Sequence, residues 1–245
     1  MNTVLRIAVA ASGFLALVLL LVAGPLYQLE WLGLSQAFGL MRWAFYLGVT
    51  SVVVTLGYAI WRRPGARFGS VLALSALTGL IAAYIPLNQM QAARSVPPIH
   101  DISTDLDNPP EFVDVIPLRA NAPNPPEYAG EETAEQQREA YPDLGPVVLK
   151  LPLDEVHEAA EHLVHRSGWE LVASERDNGM ARIEATDTTR WFGFKDDVVI
   201  RLQTVEEGVR LDMRSKSRLG RGDVGTNAER IRTFIDALPL VLNDS

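Results

Sequence analysis

Polar, aromatic and glycine residues crowd most densely between Ile183 and Arg232, and a few of them have side chains that could do chemistry. Asp187, Arg190, Arg214, Arg218, Arg221, Asp223 and Asn227 supply charge and an amide, with Trp191 and Phe194 beside them in sequence. Guanidinium groups next to aromatic rings suit an anionic group or the polar end of an apolar ligand. Arg210, Asp212, Arg214, Lys216 and Arg218 occupy alternate positions, so a strand would present them on one face. That face reads either as an anion site or as a face that is solvated or paired internally with Asp187, Glu184 or Asp197 on neighbouring strands. Ser215 and Ser217 would point the other way. No histidine lies near them in sequence and there is no GxSxG elbow, so no nucleophile and no catalytic residue is assigned.

Other patterns are weaker. Gly220-Arg221-Gly222-Asp223-Val224-Gly225 matches GxGxxG between a strand-like run and a helix, but residues 226–245 leave no room for the second strand of a dinucleotide unit. What remains is a helix N-terminus flanked by Arg218 and Arg221, suited to a carboxylate or phosphate unless Asp223 takes that place from within the chain. His157, Glu158, Glu161, His162 and His165 include the i, i+4 pairs Glu158/His162 and Glu161/His165. Their position largely off the apolar stripe predicts exposed pairing along a helix rather than a metal site. Asp101, Asp105, Asp107 and Asn108 miss calcium-loop spacing and read as turn residues. No metal and no cofactor is expected. Trp191-Phe192-Gly193-Phe194 is either a packed corner of the core or a greasy tip that meets a bilayer or a pocket rim.

The elements that must position these residues follow from periodicity. Val147 to Leu151 reads as a strand, and Pro152-Leu153-Asp154 opens a helix to about Ser167 that Gly168 ends. Trp169 to Glu175 and Met180 to Thr188 are strands joined through Asp177-Asn178-Gly179, a hairpin signal. Val198, Ile200 and Leu202, then Val209, Leu211 and Met213, alternate with polar residues across Glu206-Glu207-Gly208. A last helix starts near Thr226, with Glu229 completing a capping box. The prediction is an α+β domain of order β-α-β-β-β-β-α. Its antiparallel sheet has about five strands, one buried face and two helices on that face.

Three uncharged apolar runs precede this domain, Ile7 to Leu29, Trp43 to Trp61 and Phe68 to Ala93, each long enough to cross a bilayer as a transmembrane helix. Arg62, Arg63 and Arg67 crowd the link between the second and third. The positive-inside rule then predicts a cytoplasmic N-terminus, an extracytoplasmic C-terminal domain and residence in the inner or plasma membrane. No ionisable residue lies within a span, which argues against an ion path. The expected organisation is a three-span anchor over 1–94, a proline-rich strap over 95–146 and a soluble domain over 147–245. In the strap Asn108-Pro109-Pro110-Glu111-Phe112 recurs as Asn124-Pro125-Pro126-Glu127-Tyr128, either two pegs that dock it or a polyproline ligand for a partner. The net charge of −8 is concentrated beyond the anchor, which excludes nucleic acid as a partner, and the absence of cysteine removes disulfides and thiolate chemistry.

Asp187 through Val198, with Arg214-Ser215-Lys216-Ser217-Arg218, Gly220, Asp223, Gly225, Asn227 and Arg230-Ile231, resembles the signature of the family called domain of unknown function 1499. The resemblance runs from about Pro97 to Leu238 and implies a membrane-associated bacterial or plastid envelope domain with no established activity. Members often carry a cysteine near the start of the domain; this chain has none. The function expected is a membrane-anchored extracytoplasmic envelope module, non-catalytic, that binds an apolar or anionic ligand or a partner protein. Its partners would be the bilayer and a lipid or envelope protein. Two alternatives stand: an enzyme acting on an envelope component through Arg214, Arg218, Asp187 and Asp223, and a scaffold acting through the strap.

Overall fold

The computed structural model describes residues 3–243; the expected domain limits at 1 and 245 lie outside them. The chain divides into two compact units, one of residues up to Ala92 with Trp191–Gly193, the other Ala93–Arg190 with Phe194 onward.

The first unit is built on three helices, α1 (Thr3–Gln28), α2 (Leu34–Arg62) and α3 (Ala66–Ser95), each long and apolar enough to cross a membrane. They expose Ile7, Leu15, Val53, Leu56, Leu77 and Leu80, a surface that suits hydrocarbon rather than water. Small residues line their seams. A Cβ on Gly48 would sit 2.4 Å from the Gly79 carbonyl oxygen, and one on Gly13 would sit 1.8 Å from that of Ser75. Ser12 Oγ donates to Ser51 Oγ at 2.8 Å and the Gly13 amide to Ser75 Oγ at 3.1 Å, so the close approach also satisfies polar groups away from water.

The second unit is α+β. Its strands are β1 (Asp101–Ser103), β2 (Val147–Leu149), β3 (Glu170–Asp177), β4 (Met180–Thr188), β5 (Lys195–Val205) and β6 (Gly208–Ser217). They form one antiparallel sheet of order β1-β6-β5-β4-β3, with β2 also on β6. Its helices are α4 (Glu131–Ala140), α5 (Leu153–Arg166) and α6 (Thr226–Asn243). Asn178 and Gly179, at φ 47° and 79°, make the two-residue turn that pairs Asp177 with Met180. Val156, Ala160, Leu163 and Val164 of α5 and Ile231, Phe234 and Leu238 of α6 pack on Ile183, Val198, Ile200, Leu211 and Met213. This is the expected buried face, with two helices over it.

Two features differ from expectation. The sheet has a sixth strand, β1, from the segment read as irregular; three residues suffice because only one edge of it pairs, with Asp101 opposite Lys216. The opposite face of the sheet is buried as well. Asp197, Asp212, Arg214 and Lys216 are each at most 1 % exposed. Partners of Asp197, Arg214 and Lys216 come from the proline-rich segment, whose Phe112 and Val115 pack on Val199. Extended chain that cannot pair its backbone as helix or central sheet offers carbonyls to buried cations instead.

Candidate functional site

Alternation along β4, β5 and β6 sends Glu184, Asp197, Asp212, Arg214 and Lys216 to one face. There they form four separate groups of ion pairs. Arg214 grips Asp101 with two bonds, Nε to Oδ1 at 2.8 Å and Nη2 to Oδ2 at 2.9 Å, and donates to the carbonyls of Pro110 and Pro126. Lys216 Nζ lies 3.0 Å from Asp101 Oδ2 and donates to the Glu127 carbonyl. Asp197 accepts from Arg119 at 2.6 Å, from Arg218 at 2.7 and 2.9 Å, and from Thr186 Oγ1 at 2.7 Å. Asp212 and Asp105 share Arg201 and Arg210. Glu184 pairs with Arg182 and takes the amides of Val113, Asp114 and Val115 at 2.8–2.9 Å.

Burial shifts these groups. Desolvation holds the Lys216 ammonium below its ordinary pKa even though Asp101 opposes the shift. Desolvation also lowers Arg119, with Asp197 pulling the other way. Burial, then the nearby Asp101 charge, pushes the Tyr128 phenol up to about 12. The Tyr128 hydroxyl and Arg119 Nε have no hydrogen-bond partner among the described residues. The aromatic rings of the two Asn-Pro-Pro-Glu repeats serve the same cation, since the Arg214 guanidinium lies 4.7 Å from the Phe112 ring centre and 5.4 Å from that of Tyr128.

A second polar set lies at one end of the helix-covered face. Arg230 of α6 donates to Asp187 and Asp196 at 2.7 Å each and to Ser215 Oγ at 2.9 Å, and it also contacts Asn227. Ser215 Oγ in turn donates to Asn227 Oδ1 at 2.6 Å. Beside it a groove of about 580 Å³ is lined by Leu163, Trp169, Phe234, Ala237, Asp187 and Glu229, with Trp169 and Phe234 stacked at 5.6 Å.

The structure therefore separates the residues that the sequence set side by side. Arg214 and Arg218 belong to the buried charged face, but Asp187 does not, because register places it on the helix side with Arg230. Asp223 caps α6 itself, accepting the amides of Gly225 at 2.8 Å and Asn227 at 2.7 Å. It takes the position expected of Thr226 and occupies the helix N-terminus offered to an external anion; desolvation raises its pKa despite those two donors. Arg221 is exposed, its carbonyl 3.2 Å from His100 Nδ1. Thr189 closes the turn against Phe194 with bonds of 2.8 and 2.9 Å, next to exposed Arg190.

Trp191 and Phe192 group with the helical unit and not with a corner of the sheet core. Phe192 is buried with its ring 5.9 Å from that of Tyr27 and 5.7 Å from that of Phe38, and the Trp191 carbonyl accepts from Gln28 Nε2 at 2.7 Å.

Sequence reasoning missed Asp101, Arg119, Asp196 and Arg230 as partners. An isolated charge inside a proline-rich run, as at Arg119, is the only local sign of such a role. It also misplaced His157, which is buried and 2.9 Å from Ser174 Oγ, itself bonded to Glu161. Among the described residues no cluster of three or more acidic or histidine side chains could hold a metal.

No curated protein matches the chain. The family model described as protein of unknown function (DUF1499) matches residues 101–238, a span holding both polar sets and every strand, and the chain belongs to that family.

Proposed function

We propose that this chain is a three-span membrane protein with a cytoplasmic N-terminus, holding its acidic α+β domain outside the cytoplasm as a non-catalytic envelope module. The module binds an apolar or anionic ligand or a partner protein. The observation that carries the non-catalytic reading is the filling of the buried carboxylates. Asp101, Asp197, Asp212 and Glu184 are each wholly buried, and each already accepts from guanidinium, ammonium, hydroxyl or amide donors. A general base or nucleophile needs a free lone pair facing substrate, and these have theirs engaged beneath the strap.

The orientation is supported by Arg62, Arg63 and Arg67 in and beside the α2–α3 connection. The chain has no cysteine, so single cysteines report topology without background. Glu132→Cys in α4 and Gly65→Cys in the α2–α3 connection can be treated in spheroplasts with an impermeant maleimide. The expected result is labelling at 132 and none at 65 until the membrane is opened; the reverse pattern would overturn the placement.

A further inference from the structure

In the helical unit a second cavity of about 530 Å³ opens between the first turns of α2 and the last turns of α3. Phe38, Met41, Phe45, Leu87 and Met90 form an apolar wall, and Arg42 and Gln89 stand on its rim. Arg42 also borders an adjoining cavity that reaches back to Leu34 and Ser35. It lies eight residues into α2, roughly 12 Å along the axis. Exposed rings of Trp43, Tyr46 and Tyr84 surround that level, the kind of side chain that settles among headgroups.

Two other cations of its unit, Arg6 and Arg62, have ring partners, whereas Arg63 and Arg67, near the opposite end of α2, share with Arg42 the lack of an ion pair or ring partner among the described residues. The Arg6 guanidinium lies 4.3 Å from the centre of the Phe68 ring, and that of Arg62 lies 4.8 Å from the centre of the Trp61 ring. Arg42 is exposed and has neither an ion pair nor a ring partner among the described residues, and Glu30, the one acid of the three-helix region, does not reach it. A guanidinium at headgroup level beside an apolar cleft suits a counterion that brings its own hydrocarbon. Its planar fork matches phosphate oxygens with paired bonds.

We propose that this cleft is a binding site for an anionic phospholipid, with one acyl chain on the Phe38, Phe45 and Met90 wall and the phosphate on Arg42. A headgroup without an amine suits it, because a lipid ammonium would compete with Arg42 for the same phosphate. The inference rests on the membrane reading proposed above and names a ligand class for the helical unit. It depends on the three helices spanning a bilayer and not on which side the domain lies, so the maleimide labelling and the lipid test can fail separately.

The test is native mass spectrometry of the full chain after equilibration in bilayer discs of equal phosphatidylglycerol and phosphatidylcholine. Wild type is expected to retain phosphatidylglycerol over phosphatidylcholine, Arg42→Lys to keep part of that preference through its charge, and Arg42→Gln to lose about tenfold of it, the size of one charge-assisted contact. Met41→Trp, which fills the cleft and leaves the charge, is expected to lower retention of both lipids. The proposal is overturned if Arg42→Gln keeps the wild-type preference, if wild type shows none, or if the retained mass is a second copy of the chain.

Discussion

Arg214 is 1 % exposed and bound to one carboxylate, two carbonyls and two aromatic faces, so its removal strands Asp101 and leaves Lys216 as that acid's remaining cation. Breaking a buried pair from one side costs about 3–5 kcal/mol. Arg214→Ala is therefore expected to lower the unfolding free energy of the full chain in detergent by that amount, read as a lower denaturant midpoint, and an unchanged midpoint would show the network to be dispensable. His157 gives a pH dependence. Burial, then the Arg176 charge, lowers its pKa in the fold, so below the ordinary value of about 6.5 the unfolded chain binds the extra proton. The stability it lends is complete above that value and drains away as pH falls through it. The unfolding midpoint should hold above about pH 6.5 and drop as pH falls below it, and His157→Gln should flatten that part of the profile. Neither role was legible locally: Arg214 read as one rung of a charged ladder, and His157 lies beside the α5 stripe and not on it.

Element by element, the strands and helices could be read before their contents. β4 was placed over Met180–Thr188 and α5 over Leu153–Arg166 to within a residue, because apolar residues repeat every second position in one and every third or fourth in the other. The start of α6 was placed correctly and its cap was not. Asp223 and Thr226 are both good capping residues, and the choice fell to the turn at Val224 and Gly225, whose φ of 60° and 81° bring the earlier carboxylate over the free amides. Asp223→Ala should cost about 1 kcal/mol and fray the first turn of α6, visible as faster amide exchange at Gly225 and Asn227. In the membrane helices the corresponding test is Gly48→Val. Its side chain would enter the Gly79 backbone, forcing α2 and α3 apart, and is expected to lower the thermal midpoint in detergent by several degrees, roughly what 1–3 kcal/mol of overpacking produces in a chain of this size.

Across the whole molecule, charge distribution is the proposed determinant of how the chain threads a bilayer. Replacing Arg62, Arg63 and Arg67 together by Gln is expected to let the impermeant maleimide reach cysteines at both 65 and 132 in the same population, and retention of the single-sided pattern would assign orientation to another feature. The sequence by itself determined the three apolar helices, the α+β order and the family, since each rests on periodicity, run length or a local motif that survives without knowledge of any partner. Tertiary structure alone decided which charges meet. Asp101 and Arg214 are over a hundred residues apart and Arg119 and Asp197 nearly eighty, separations at which no spacing rule operates. A one-residue change of register would have carried Asp187 to the strap-covered face and Arg214 to the helices. The proline-rich segment turned an expected solvent face into a second buried layer because its unpaired carbonyls and Asp101 satisfy the buried cations, and its Arg119 satisfies the buried Asp197 carboxylate, in place of water.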